Sequence, residues 1–453
     1  MSKLRSIIAC SIVIFLVKPA FSSPIPGSGF EVTNYKLKLK PDLTNGTISG
    51  SETILLHITE SYPDSIAFSG NALVIDRANL DGLPVTPVSD ADRIVFPMPR
   101  KLAKNSPVTI ELTYHGRPER GFSRSVTTLY TSYFACDWMV CLQDKFSNKA
   151  AFSLELQVPA GMQTASIGKL VSKRPGPGGS EIQSWEAPRP YSSYLYGFAV
   201  GHFASVSENV GTVKLTYLSD AVDKAVLKQH FATTPEMVRF LSDKAGLPLP
   251  VTEYTQILVS GNEAQEAATY SVIGADELPK NHNDPADDWV IVHELTHEWW
   301  GNLITCETLN DFWLNEGITT FMTAAWKEYR YGHAAYDAEL AVSQRRWDKI
   351  KSQGFDEPLT WSGPYPSLSI RRAIQYNKGA IFMAYLRDTL GDAAFWKGLR
   401  DYTRAHAGGT VTSIDLERAM EAASGKNLHN IFVQWVFGNG GNTARQSIYQ
   451  KTK

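Results

Sequence analysis

Polar and apolar residues alternate one by one through the first two-fifths of the chain. Residues 35–40 (YKLKLK), 53–58, 108–114 (VTIELTY) and 151–158 (AFSLELQV) each place apolar side chains at every second position. A period of two buries one face of a strand and leaves the other wet. Turn residues separate the runs, at Asn45-Gly46, Asp81-Gly82 and the proline–glycine cluster over 174–179. The pattern predicts an antiparallel all-β unit. After about residue 206 the texture changes. Two strand-like runs, 213–218 and 254–260, precede helical periodicity, with helices predicted from 235 to Gly246, about 284 to Gly301, 316–331, 337–352, 373–390, 394–405 and 414–423. Pro235 opens one helix, and Gly246 and Gly332 close two, as helix punctuation requires. Nine of the eleven tryptophans lie at or beyond Trp289, which points to two differently packed units. The expected fold class is α+β: an N-terminal β-domain over 23–205, then a mixed, mainly helical domain over 206–453.

The extreme N-terminus has another pattern. Lys3 and Arg5 precede an apolar run over 7–17, which Lys18-Pro19 breaks before the small residues at 20–22. This is the pattern of a signal peptide over 1–22, with an apolar run too short to span a bilayer. The expectation is an exported protein, periplasmic or secreted, without stable membrane insertion after cleavage. Loss of Lys3, Arg5 and Lys18 would take the net charge from −2 to −5. No basic excess argues for a nucleic-acid partner. Four cysteines in 453 residues exclude a disulfide-stapled scaffold. Of the three outside the leader, Cys136 and Cys141 are near enough for a local disulfide, or are two buried thiols; Cys306 is left over.

Candidate chemistry lies in the helix predicted from about 284. It contains His293-Glu294-Leu295-Thr296-His297, with the histidines four apart on one helix face. Two imidazoles so spaced can reach one zinc ion at about 2.0–2.1 Å each. Glu294 projects beside them, where a general base could take a proton from a zinc-held water. A third ligand is needed, with a fourth position left open. Glu316, 19 positions after His297 in Trp313-Leu314-Asn315-Glu316-Gly317, is the candidate, on a helix that can turn back toward the first. One Zn²⁺ per chain is expected. Asn315 and Glu298 are candidates to support the ligands.

HELTHEWWGN followed by WLNEG resembles the zinc-binding segment of the gluzincin aminopeptidases, peptidase family M1, membrane alanyl aminopeptidase-like. The resemblance covers nearly all of the chain after the leader. It implies a saddle-like β-domain followed by a thermolysin-like catalytic domain. It also implies a catalytic tyrosine in a Tyr-x-Lys-Gly setting, matched by Tyr376 in Gln375-Tyr376-Asn377-Lys378-Gly379. In the family a Gly-x-Met-Glu-Asn strand binds the substrate's α-amino group. Here the segment reads Ser260-Gly261-Asn262-Glu263-Ala264-Gln265-Glu266, without the methionine or the asparagine. Counting back from Thr269-Tyr270 selects Glu263; a shifted strand selects Glu266. Cys141-Leu142-Gln143-Asp144 with Lys149-Ala150 is similar to a β-domain landmark, upstream of which a second amine-binding group is expected, with Asp137 a candidate. Typical members continue into a large helical C-terminal domain; here 15 residues follow Gly438, so either a compact form with an open cleft or a cleft covered by another chain is expected.

The resemblance implies a zinc aminopeptidase acting on peptides with a free N-terminus. A zinc endopeptidase of the same fold is the alternative, because the amine-binding strand is altered. A silent binding module is disfavoured by the intact His293, Glu294, His297, Glu316 and Tyr376.

Overall fold

The computed structural model describes residues 24–61, 63–277 and 288–438. The leader, the start of the helix expected from about 284 and the tail beyond Gly438 lie outside the described residues.

The alternating runs pair into a nine-stranded sheet. Its main strands are β1 (Phe30–Asp42), β2 (Thr47–Ile58), β3 (Val74–Leu80), β4 (Pro107–Gly116), β5 (Lys149–Pro159), β6 (Lys169–Pro175) and β7 (Ser180–Glu186). They lie in the order β6-β7-β5-β1-β2-β4-β3. Leu37, Leu39, Ile54, Leu56, Ile110 and Leu112 turn inward, each at most 3% exposed, and give the sheet one core face. The expected antiparallel pairing holds except at β1 and β5, which run parallel with Tyr35 opposite Phe152. The chain makes a long excursion between these two strands, and a long connection lets a strand re-enter in the same direction. A loop over 132–148 leaves this domain toward the helical one. Cys136 and Cys141 are disulfide-bonded within it, while Cys306 is buried and unpaired. Asn71 braces the loop by donating to the carbonyls of Cys136 and Met139.

The second unit opens with a five-stranded sheet of β8 (Ala204–Val210), β9 (Val213–Ser219), β10 (Glu253–Val259), β11 (Ala264–Ala267) and β12 (Tyr270–Gly274), ordered β8-β9-β10-β12-β11. The edge strand β11 runs antiparallel to β12, whereas β9, β10 and β12 are mutually parallel. Around the sheet pack α1 (Thr234–Ala245), α2 (Trp289–Thr296), α3 (Trp313–Tyr331), α4 (His333–Lys351), α5 (Gly379–Leu390), α6 (Asp392–Ala405) and α7 (Ser413–Ser424). Trp299, Trp300, Trp313 and Trp326 are buried among them, so the tryptophan-rich half has its own core.

Two helices depart from the periodicity. α2 ends at Thr296, not Gly301, because the chain turns back through Trp300 and Gly301, where φ is +134°. The helix expected over 373–390 begins as a π-turn over Ala373–Lys378 before α5 continues it. Such turns interrupt a regular helix most often at functional sites. Among the described residues no helix is long and apolar enough to cross a membrane.

Candidate metal centre

α2 and its C-cap residue present His293 and His297 on one face, and α3 brings Glu316 against them from its first turn. Glu316 Oε2 lies 3.5 Å from both His293 Nε2 and His297 Nε2. All three side chains are buried. His297 Nδ1 donates to the Trp300 carbonyl at 3.1 Å, which fixes the tautomer and leaves Nε2 bare. The Gly301 turn permits this, since a side-chain carbon there would sit 2.9 Å from His297 Nδ1.

The residues fit a zinc ion. Their ligand atoms lie within 4.8 Å of one another, and Glu316 Oε2 has no hydrogen-bond partner despite its burial. Ligands of a tetrahedral zinc at about 2.0–2.1 Å sit roughly 3.3 Å apart, close to the separations seen here. Two imidazoles and one carboxylate are the donor set of a catalytic site with a position to spare.

The electrostatics follow from three carboxylates sharing one buried space. Burial pushes Glu294 and Glu266 well up from the usual carboxylate range, and the neighbouring carboxylates add to it. Glu316 goes the other way: burial opposes its charge, but the two imidazoles outweigh it and hold the carboxyl ionised. Glu294 Oε2 is also buried without a partner. Tyr376, on the π-turn, stacks its ring parallel to His293 at 6.1 Å. Desolvation, then the charges of Glu316 and Glu266, push its phenol well above the ordinary tyrosine value, so it stays a neutral donor.

The two candidate amine ligands separate here. Glu266 is 4% exposed on β11 and lies with Glu294 and His297 in a second group of clustered ligand atoms. Glu263 sits just outside the strand, half-buried, with Tyr130 hydrogen-bonded to it. Both line the cavity, but Glu266 is the one beside the metal ligands. Of the two positions read from the sequence, Glu263 by count and Glu266 by a shifted strand, Glu266 is the one whose carboxylate clusters with Glu294 and His297. The chain folds over between β11 and β12 at Thr269, whose φ is +71°.

The supporting residues differ from those expected. Glu298 accepts from the Thr269 amide at 2.7 Å and from Asn302 Nδ2 at 3.0 Å, tying the turn after α2 to the β11–β12 hairpin. Asn315 accepts from the Cys306 amide and donates to Tyr194. Neither touches a ligand imidazole; Thr319 does, 3.5 Å from His297 Nδ1. Asp137 does not reach the site, because Arg120 holds it at 2.8 Å. Tyr133, in the same loop, lines the cavity instead, with its hydroxyl donating to the Ala264 carbonyl beside Glu266. No spacing in the sequence pointed to Tyr133. Lys378, in the motif of Tyr376, donates to Asp356 at 2.9 Å and to the Glu357 carbonyl at 2.7 Å, pinning the π-turn.

Residues 31–195 match the Peptidase M1 N-terminal domain, and residues 231–435 match the Peptidase family M1 domain. The chain belongs to peptidase family M1. Among its relatives in that family, "Probable aminopeptidase 2" of Sulfurisphaera tokodaii is 24% identical, over 90% of this chain and 54% of that protein. "Aminopeptidase M1-D" of Oryza sativa subsp. japonica is 26% identical, over 93% of this chain and 50% of that one. This M1 chain thus spans about half the length of such relatives. A Deinococcus radiodurans M1 zinc metallopeptidase, solved as a point mutant with a Tyr-Ser-Ala substrate, shares the fold with a TM-score of 0.76. It is 24% identical and aligns over 91% of this chain and 95% of its own.

Proposed function

We propose that this chain is a zinc-dependent aminopeptidase that removes single N-terminal residues from peptides. The observation that carries this reading is the juxtaposition of two buried groups, a His293–His297–Glu316 donor set and the Glu266 carboxylate beside it. The first suits hydrolysis. The second marks where a free ammonium would sit, and so sets cleavage one residue in. An endopeptidase has no use for a buried carboxylate at that place. Names of the relatives, the peptide held by the Deinococcus enzyme and the L-arginine held by a two-domain M1 zinc metallopeptidase agree with this reading.

In this reading His293, His297 and Glu316 hold the ion. A zinc ion there would supply Lewis acidity toward the scissile carbonyl and a water of lowered pKa. Glu294 takes the proton from the attacking water and passes it to the leaving amine. Tyr376 donates its phenolic proton in a hydrogen bond to the developing oxyanion. Glu266 accepts the hydrogen bonds of the N-terminal ammonium, and the low dielectric strengthens that pair. Tyr133 and Ala264 wall the same end of the cavity.

We also propose that the protein is exported. The leader pattern supports this, and so does the Cys136–Cys141 disulfide, a bond that persists in oxidising compartments. N-terminal sequencing of the natural protein, beginning after residue 22, would bear this out; an intact Met1 would reject it.

The test of the activity is a matched pair of peptides, one with a free N-terminus and the other N-acetylated, with Glu294→Gln protein as the blank. Stepwise loss of single residues from the free peptide alone is the expected result. Equal cleavage of both would make the chain an endopeptidase.

A further inference from the structure

Glu266 stands on β11, a four-residue edge strand with β12 as its hydrogen-bonded neighbour. An edge strand is secured by one ladder of backbone hydrogen bonds where an interior strand has two. Yet its carboxylate must meet the substrate's ammonium while the scissile carbonyl meets the metal centre. A misplacement of about 1 Å costs roughly 10²-fold in rate. Whatever holds β11 therefore bears on catalysis.

Two strained residues hold it. Four non-glycine residues among those described have positive φ: Asp81, Asn105, Tyr133 and Thr269. Asp and Asn adopt this conformation readily in turns. A tyrosine at +47° and a β-branched threonine at +71° do not. Such strain persists only where the surroundings over-determine it, and it clusters at functional sites. Tyr133 donates its hydroxyl to the carbonyl of Ala264, the first residue of β11. Thr269 lies in the turn just past Ala267, the last. Its amide donates to Glu298 Oε1 at 2.7 Å, its hydroxyl accepts from the Gly168 amide at 2.6 Å, and its carbonyl accepts from the Thr255 amide at 3.1 Å.

The same turn is tied to the metal centre. Glu298 follows the ligand His297 in the chain. Asn302 donates its backbone amide to the His297 carbonyl at 2.9 Å. Its Nδ2 donates to Glu298 Oε1 at 3.0 Å and to the Ala267 carbonyl at 3.1 Å. Glu298, Asn302 and Thr269 are all buried. Hydrogen bonds thus run without a break from the backbone of a metal ligand to the end of the strand that carries Glu266.

Resting on the aminopeptidase reading, we propose that Glu298 and Asn302 are positioning residues for Glu266. They set the distance between the metal centre and the carboxylate that takes the substrate's ammonium, and neither touches the substrate. Glu298 acts as an acceptor and not as a charge, since Oε1 takes both bonds and Oε2 has no partner. Glutamine can therefore replace it, and an apolar residue cannot.

The experiment compares two zinc-chelating ligands by calorimetry on the zinc-loaded full chain. One is leucine hydroxamate, which carries an α-ammonium; the other is isocaproyl hydroxamate, the same molecule without it. Their affinity ratio within one protein isolates the ammonium contact. In the unaltered protein the amine is expected to tighten binding about tenfold or more, the scale of one charge-assisted hydrogen bond. Glu298→Leu is expected to reduce that ratio to about twofold or less, with the zinc content and the affinity for isocaproyl hydroxamate unchanged. Glu298→Gln is expected to keep the full ratio; its loss there would overturn the acceptor role. Asn302→Ala is expected to lower the ratio too, and it carries the test if Glu298→Leu does not fold. A purely structural role would weaken both ligands in parallel. That result, or an undiminished ratio in the folded variants, would overturn the proposal and leave the aminopeptidase reading standing. A ratio near one in the unaltered protein would overturn both.

Discussion

At the scale of single residues, the site divides groups that hold the ion from groups that act on the substrate. Glu294→Gln keeps the shape and removes the base, so kcat should fall about 10²–10⁴-fold with the zinc content unchanged. Tyr376→Phe removes one oxyanion donor and should cost about 10²–10³ in kcat with little change in KM. A large rise in KM with kcat intact would show that the phenol binds ground state and transition state alike. The two acids of the edge strand predict opposite outcomes. Glu266→Gln should abolish the preference for a free over an acetylated N-terminus, whereas Glu263→Gln should leave it nearly intact. The reverse result would restore the position counted from the sequence. These assignments differ in how readable they were. His293, Glu294 and His297 lie within five residues on one helix, where spacing alone sets geometry. Glu316 required only that neighbouring helices pack together, whereas Tyr376 came from the resemblance of its Tyr-x-Lys-Gly setting to the family's. Glu266 depends on where β11 folds over at Thr269, and Tyr133 on a loop crossing from another domain; neither leaves a periodic trace.

At the scale of elements, two glycines in the motifs set a contact between helices. Gly317 follows Glu316, and Gly379 lies three residues after Tyr376. A side-chain carbon on Gly317 would meet the Gly379 Cα at 2.9 Å, so the backbones of α3 and α5 touch there. This contact sets how close the glutamate and the tyrosine come to His293. Gly317→Ala should destabilise the fold by about 1–3 kcal/mol, as overpacking does, and should also weaken zinc retention. A lowered melting temperature with zinc binding unaltered would separate the helix contact from the site. The strand and helix periodicities were legible because each element buries one face. The parallel β1–β5 pair and the π-turn were not, since each depends on what the element packs against and not on its own pattern.

At the scale of the whole molecule, the β-domain takes part in building the site. Lys149 on β5 donates to the Leu303 carbonyl just after the metal-binding turn at 2.9 Å. Tyr133 and Tyr194 reach Ala264 and Asn315. The loop that carries Tyr133 is anchored in turn by Glu52 of β2, which accepts from the Val140 amide at 2.9 Å. Burial pushes the Glu52 carboxyl up from 4.5 to about 8. The folded protein therefore keeps this proton until about pH 8, while the unfolded chain releases it near 4.5. Its contribution to stability is complete below the lower value and is lost as pH rises toward the higher, by at most roughly 1.4 kcal/mol per pH unit. Glu52→Gln should flatten the decline in melting temperature between pH 5 and 8; an unchanged slope would place the titration elsewhere.

The central claim is that one zinc ion is held by His293, His297 and Glu316, next to a base that does not bind it. The most direct measurement is metal content per chain, by mass spectrometry of the native protein after dialysis against a weak chelator. The account predicts one zinc in the unaltered protein and in Glu294→Gln, and none in His297→Ala or Glu316→Ala. Full zinc retention in His297→Ala, or loss of zinc in Glu294→Gln, would contradict it.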